Sequence, residues 1–305
     1  MAKILVTGGA GFIGSHVVEA FLAEGHEVAV FDNLSTGVTE NVPENVQFFE
    51  GDITNRVRVR EVLQEFRPEV IDHHAAHIQV GYSVENPQFD AENNVLGVLN
   101  IMEEARDVGT VKKVIMASTG GAMYGDKPVP FTEDLSPQPL SPYGISKRAG
   151  ELYLHFYFVQ YGIPYVVLRY SNVYGPRQNP HGESGVIAIF MEKILKGEQP
   201  KINGTGENTR DYVYVADVAR ANVAALAYES TGEFNIGTNT ETSTNEVFHL
   251  VTTAMNASIP EEHGPARPGE QVRSVLDYSK AQREFGWQPT MPLEEGVRIT
   301  AQSFQ

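Results

Sequence analysis

Short runs of β-branched and apolar residues alternate with longer amphipathic stretches through the first half of the chain. Runs at 3–6, 28–31, 46–50, 70–72, 114–117 and 165–169 are apolar at nearly every position, as in strands buried on both faces. Between them, 12–23, 56–66, 87–105 and 143–161 repeat apolar residues at helical spacing. This βαβ rhythm predicts an α/β fold, a doubly wound parallel sheet covered by helices on both faces. Ligands are expected at the carboxyl ends of its strands. After about residue 171 the rhythm breaks at Pro176, Pro180, Gly182 and Gly185. Helices near 186–196 and 217–228 and a return strand at 234–236 follow. Two interleaved lobes are expected: 1–175, rejoined by 213–238, and a smaller C-terminal α/β lobe formed mainly by 176–305.

The first strand runs straight into Thr7-Gly8-Gly9-Ala10-Gly11-Phe12-Ile13-Gly14-Ser15 and then a helix. Glycines at this spacing permit a tight turn and let the backbone approach a pyrophosphate. The helix N-terminus adds free N–H groups and a partial positive charge. Asp32 ends the second strand, 18 residues after Gly14. A carboxylate there accepts both hydroxyls of an adenosine ribose and repels a 2′-phosphate, which favours NAD over NADP. Gly51-Asp52-Ile53, after the third strand, is placed to meet the adenine or to be a plain turn. The strand–turn–helix context makes the first half a Rossmann-type dinucleotide domain.

Tyr143-Gly-Ile-Ser-Lys147 opens a helix, so the two side chains lie one turn apart on one face. Free tyrosine, with a pKa of about 10, is a poor base at neutral pH. Two cations, the Lys147 ammonium and a positive nicotinamide, would lower it; a drop of about 3 units takes roughly 4 kcal/mol. Such a spacing is common on surface helices, and the dinucleotide turn upstream is what gives it weight.

Composition removes other chemistries. With no cysteine in 305 residues there is no disulfide, thiolate nucleophile, Fe–S cluster or Cys-ligated zinc. The formal charge of −16 argues against nucleic acid or an anionic membrane as a partner. The N-terminal segment reads as neither a secretion signal nor a membrane span, and a cytoplasmic location is expected. His73, His74 and His77 suggest a metal cluster, but no carboxylate follows at ligand spacing, and no metal is expected. The aromatic residues Tyr153, Phe156, Tyr157 and Tyr161 read as core.

Taken together these segments resemble the extended short-chain dehydrogenase/reductase family, most closely its UDP-glucose (UDP-galactose) 4-epimerase branch. The resemblance spans essentially the whole length. It is carried by the glycine turn, Phe31-Asp32-Asn33-Leu34-Ser35-Thr36-Gly37, Gly51-Asp52-Ile53 and His73-His74-Ala75-Ala76. It continues through Asn93-Asn94-Val95, Ser141-Pro142-Tyr143 to Lys147, the run from Leu168 to Pro176, and Thr209-Arg210-Asp211-Tyr212-Val213. It implies a tightly bound NAD contacted by Gly8, Gly11, Phe12, Ile13, Asp32, Asn33, Ser35, Thr36, Gly37, Asp52 and Ile53. Further contacts implied are His74, Ala75, Ala76, His77, Asn93, Ser118, Tyr143, Lys147, Tyr170 and Val173. Tyr143 and Lys147 are implied as the proton-transfer pair, and a homodimer through the helices at 87–105 and 143–161 is implied as well.

Relatives that dehydrate the sugar carry an acid just before the Tyr-Gly that follows the fifth strand, because elimination needs a proton carrier. Here the stretch is Ser118-Thr119-Gly120-Gly121-Ala122-Met123-Tyr124-Gly125, without a carboxylate. Simple 4-epimerisation needs none. Relatives that epimerise place a hydroxyl where this chain has Gly120. Either Thr119 delivers that hydroxyl, the favoured reading, or Tyr143 works through a water. For a UDP-sugar substrate, Asn172, Arg210 and Arg267 match positions implied to hold the diphosphate, Arg forking onto its oxygens. Val186 and Ile202 would flank the uracil or sit in the core. Ser274 is small where some relatives carry an aromatic, leaving room for an N-acetylhexosamine. A UDP-glucuronate or UDP-N-acetylhexosamine 4-epimerase, a nucleotide-sugar 4-ketoreductase and a non-catalytic NAD sensor are the rival readings.

Overall fold

The computed structural model describes residues 1–180, 185–266 and 271–304. The first six strands are β1 (Lys3–Thr7), β2 (Glu27–Asp32), β3 (Gln47–Glu50), β4 (Val70–His73), β5 (Lys113–Thr119) and β6 (Tyr165–Tyr170). Four short strands follow, β7 (Asn172–Tyr174), β8 (Ile202–Asn203), β9 (Thr209–Arg210) and β10 (Tyr212–Tyr214). The chain then returns as β11 (Gly232–Ile236) and ends with the short strands β12 (Thr242–Ser243), β13 (His263–Gly264) and β14 (Arg273–Ser274). The central sheet has seven parallel strands in the order β11-β6-β5-β4-β1-β2-β3. Strand order reverses between β1 and β4, which opens a crevice at their carboxyl ends, where doubly wound sheets bind ligands.

Helices α1 (Phe12–Ala23), α2 (Arg56–Phe66), α3 (Val80–Glu85), α4 (Pro87–Ala91), α5 (Gly97–Val108) and α6 (Pro142–Tyr161) belong to the first half. The remainder are α7 (Val186–Leu195), α8 (Val215–Ala227), α9 (Thr244–Ala254), α10 (Ser279–Phe285) and α11 (Leu293–Phe304). Both faces of the sheet are covered, which is why its strands carry apolar residues at successive positions. Val17 and Phe21 of α1 and Val218 of α8 pack with Ile4, Val6 and Val30 on one face. Leu63 of α2, Ile101 of α5 and Leu154 of α6 pack with Leu5, Ile71 and Val167 on the other. A separate core joins α7, α9 and α11 through Phe190, Phe248 and Val297. Among the described residues no helix is long and apolar enough to cross a membrane.

Two expectations change. The helix expected over 87–105 is three pieces, α4, a π-helical turn at Glu92–Leu96 and α5. The turn widens where buried Asn94 donates to Asp90 Oδ1 (3.0 Å) and to the His77 carbonyl (2.8 Å), so tertiary bonds override helical periodicity. The aromatic run on α6 is not core throughout: only Tyr157 is buried, while Tyr153, Phe156 and Tyr161 face outward.

Candidate active site

A single cleft of about 2040 Å³ runs along the carboxyl ends of the sheet strands and continues against α7 and β9. Gly8, Gly11, Phe12 and Ile13 line one end. Gly8 has φ +70°, and a methyl group there would lie 2.6 Å from the Ala75 nitrogen, so only glycine lets the turn pass β4. Gly11 caps α1 with no side-chain hydrogen bond, and the first turn of α1 contains no acid. The exposed N–H end of this helix therefore remains positive toward the cleft.

Asp32, Asn33, Ser35, Thr36, Asp52 and Ile53 line the same end. Asp32 Oδ2 accepts the Ala10 N–H (3.0 Å) and Oδ1 the Leu34 N–H (2.8 Å), which fixes the carboxylate in place. Burial pushes its pKa up in spite of those bonds. The Asn33 amide donates to Asp52 Oδ2 at 2.7 Å and ties the two loops together. Gly37 does not line the cleft; its backbone packs on Ala10.

His74, Ala75, Ala76, His77 and Asn93 form the floor beyond β4. The three histidines have separate surroundings. His73 Nδ1 meets Thr7 Oγ1 at 2.8 Å, and burial, Lys147 and His74 together hold its pKa down to about 3. His74 stacks on Tyr170 (centroids 6.2 Å apart), with Nε2 2.9 Å from Asp72 Oδ1 but not aligned as a hydrogen bond. His77 packs against Tyr82 and Phe89. No group of three metal-ligating side chains forms among the described residues.

The chemistry-bearing residues stand at the middle of the cleft. Ser141 caps α6 by accepting the Gly144 N–H (3.2 Å), and Pro142 occupies the first turn. This cap sets Tyr143 and Lys147 on the inward face, and both line the cleft with Thr119. Thr119 Oγ1 accepts the Ala122 N–H at 3.2 Å and lies beside Tyr143 in the cleft. Gly120 is turned away and does not line the cleft: a β-carbon there would lie 2.4 Å from Leu276 Cδ1. Thr119 thus lines the cleft with Tyr143, and Gly120 does not.

Lys147 is buried, and its Nζ donates to the Ala117 carbonyl at 3.0 Å. Burial pulls it down to about 8, opposed by the Asp90 and Glu151 carboxylates. Burial pushes Tyr143 well above its ordinary range, Asp90 adds to this, and Thr119 partly offsets it. The lowered Tyr143 expected from the sequence requires the second cation, the nicotinamide; in the protein alone desolvation and Asp90 raise it. Ser118 lines the cleft, but its hydroxyl donates to Glu151 Oε1 (2.7 Å) beneath it. Glu151 also holds Arg169 through bonds of 2.9 and 2.7 Å in a fully buried fork.

Beyond the Tyr–Lys pair the cleft is lined by Tyr170, Asn172, Val173, Val186, Arg210 and Ser274. Asn172 donates to the Asp211 carbonyl (3.2 Å), and the Asp211 carboxylate is taken by Thr238 and the Leu276 N–H. Arg210 Nη1 rests on the Thr209 carbonyl at 2.8 Å. Ile202 is fully buried in the α7–α9 core and does not reach the cleft. Arg267 lies outside the described residues. Sequence reasoning passed over Asp90, Arg177, Gln178, Lys193 and Lys201, of which all but Asp90 line the cleft. Asp90 was legible only as one more helical carboxylate; Arg177, a cation directly after the Tyr174-Gly175-Pro176 run of an acidic chain, was the available signal.

A glycine turn with an open helix end, a fixed acid at the end of β2 and a Tyr–Lys pair along one cleft fit a bound dinucleotide. A model of the NAD dependent epimerase/dehydratase family matches residues 4–237. The UDP-glucose 4-epimerase of Mycolicibacterium smegmatis is 44% identical over 310 residues, covering 99% of this chain and 98% of that protein. The structure of UDP-glucose 4-epimerase from Thermotoga maritima with UDP-glucose superposes with a TM-score of 0.96 at 46% identity, covering 99% of this chain and 98% of that one. That of the Thermus thermophilus enzyme with NAD gives 0.94 at 47%, with the same coverage. The chain belongs to the NAD dependent epimerase/dehydratase family.

Proposed function

We propose that the chain is a UDP-hexose 4-epimerase that interconverts UDP-glucose and UDP-galactose through a transient 4-keto sugar, keeping its NAD throughout. The observation that carries this is Tyr143, Lys147 and Thr119 lining one cleft, with Gly120-Gly121-Ala122-Met123 after Thr119 and no acid to drive elimination. NAD held there would supply the acceptor and donor for the C4 hydride. Tyr143 accepts the proton of the sugar 4-hydroxyl and gives it back after the ketone has turned its other face. Thr119 orients the tyrosine oxygen, and the Lys147 ammonium together with a positively charged nicotinamide would hold Tyr143 as the phenolate that accepts this proton.

In this reading Gly8, Gly11, Phe12, Ile13, Asp32 and the β4 floor hold the cofactor. Asn172, Arg210 and Arg267 take the sugar-nucleotide diphosphate, and Val186 faces the base. The lobe of 1–175 with 213–238 is the cofactor half, and 176–305 mainly the substrate half. A homodimer through α6 and the π turn accounts for Leu96, Leu152, Phe156 and Val159, large apolar side chains left exposed. Supplying purified protein with UDP-galactose and no added cofactor should yield UDP-glucose; no interconversion even with NAD added would refute the proposal. Tyr143→Phe should abolish turnover while NAD stays bound.

A second reading extends the substrate to N-acetylhexosamines. Opposite the sugar position the wall is Gly121 and Ser274, and even a methyl group on Gly121 would stay 3.8 Å from Ser274 Oγ. Turnover of UDP-N-acetylglucosamine supports this breadth, and complete failure on that substrate removes it.

A further inference from the structure

We propose that Arg177 is a cationic clamp on the cofactor diphosphate, reaching the first turn of α1 from the loop that leads into the substrate half. The proposal rests on the family's use of NAD. Arg177 follows β7 and takes a left-handed backbone, φ +68°, that a non-glycine residue seldom adopts. Nη1 donates to Ser15 Oγ at 3.1 Å, and Nη2 pairs with Glu19 one turn further along α1. Ser15 Oγ in turn donates to the Phe12 carbonyl at 3.0 Å, so the guanidinium is two bonds from the residue that starts the helix. A second tie, His16 Nε2 to the Pro176 carbonyl at 3.0 Å, holds the loop on the helix.

Arg177 lines the cleft together with Gly11, Phe12 and Ile13. The bonds to Ser15 and Glu19 engage two of the five N–H groups of a guanidinium, leaving donors for a further anion. The first turn of α1 holds no acid; the carboxylate that pairs with the guanidinium, Glu19, stands one turn further along. A diphosphate at this helix end meets backbone N–H groups and a formal positive charge at once, a stronger site than either alone. Glu19 then serves as the outer anchor that keeps the fork in place, and its removal leaves the charge intact.

The test compares Arg177→Met, Arg177→Lys and Glu19→Gln with the parent, reading the NAD that survives gel filtration and the Kd for NAD, ADP-ribose and adenosine by calorimetry. Loss of one charge-assisted contact predicts a Kd about tenfold or more higher for NAD and ADP-ribose in Arg177→Met, with adenosine unchanged. Arg177→Lys keeps the parent's dependence of NAD affinity on KCl, and Arg177→Met flattens it. Glu19→Gln retains NAD as the parent does. Parental NAD and ADP-ribose affinity in Arg177→Met overturns the clamp, as does a Glu19→Gln loss as large as that of Arg177→Met, which would mark a purely structural latch. If Arg177→Met does not fold, an Arg177→Lys salt dependence as flat as that of a neutral site has the same force. A parent that binds no NAD at all would sink the cofactor reading itself.

Discussion

Replacing Gly120 by serine decides whether the hydroxyl beside Tyr143 can come only from Thr119. A β-carbon at Gly120 lies 2.4 Å from Leu276 Cδ1 and 2.7 Å from Cδ2. Carbon atoms pack comfortably at about 3.5–4.0 Å, so Leu276 would have to withdraw by roughly 1 Å. Leu276 is fully buried among Met123, Tyr124 and Phe131, so its methyl groups would have to repack against them. Overpacking of this kind costs about 1–3 kcal/mol, which at roughly 2–4 °C per kcal/mol in a large domain lowers Tm by about 2–12 °C. The new side chain starts toward Leu276, and the residue does not line the cleft. Thr119→Val should lose on the order of 10²-fold in kcat, as when an oriented donor is deleted. The Thr119→Val/Gly120→Ser pair should recover none of it. The assays are thermal unfolding and the UDP-galactose to UDP-glucose rate. An unchanged Tm in Gly120→Ser, or restored turnover in the pair, would refute the reasoning.

Three more outcomes follow from buried charges. Lys147 sits at about 8, so kcat/KM should fall along an alkaline limb near that pH; Asp90→Asn, removing a carboxylate that favours the ammonium, should move the limb to lower pH. A limb that stays put in Asp90→Asn would break that link. Glu151→Ala leaves the Arg169 guanidinium buried and unpaired, and urea unfolding should show a loss of about 3–5 kcal/mol. A loss under 1 kcal/mol, roughly that of an exposed pair, would contradict it. His73, held neutral down to about 3, binds a proton more readily when unfolded, near pH 6.5. Its contribution is therefore complete above about pH 6.5 and is lost progressively as pH falls toward 3. His73→Gln should shrink the parent's stability drop between pH 7 and 4, and an equal drop in both proteins counts against the assignment.

The strands were readable because a sheet covered on both faces needs apolar residues at consecutive positions, and Leu5, Val30, Ile71 and Val167 satisfy that directly. Helix α1 followed from the glycines before it, and α6 from Ser141-Pro142 at its start. What escaped depends on contacts distant in sequence. Gly120 faces inward because Leu276 stands behind it, and Ser118 turns to Glu151 because that acid must hold Arg169. Local pattern registers neither. Ile202 carried the same apolar letter whether it faced a base or a core, and the packing of α7 on α9 chose the core. The outward aromatics of α6 misread in the opposite sense: an apolar stripe says that something covers it without saying what.

Strand β11 gives the protein a constraint on its own synthesis. It pairs with β6 along the whole of Val166 to Tyr170, yet it is translated only after the intervening segment of about sixty residues has left the ribosome. Until then β6 is a bare sheet edge of buried-type residues, the kind of surface that recruits other strands. The sheet cannot close until about three-quarters of the chain exists, so a nascent chain stalled before Gly232 should be a client of chaperones rather than a small folded domain.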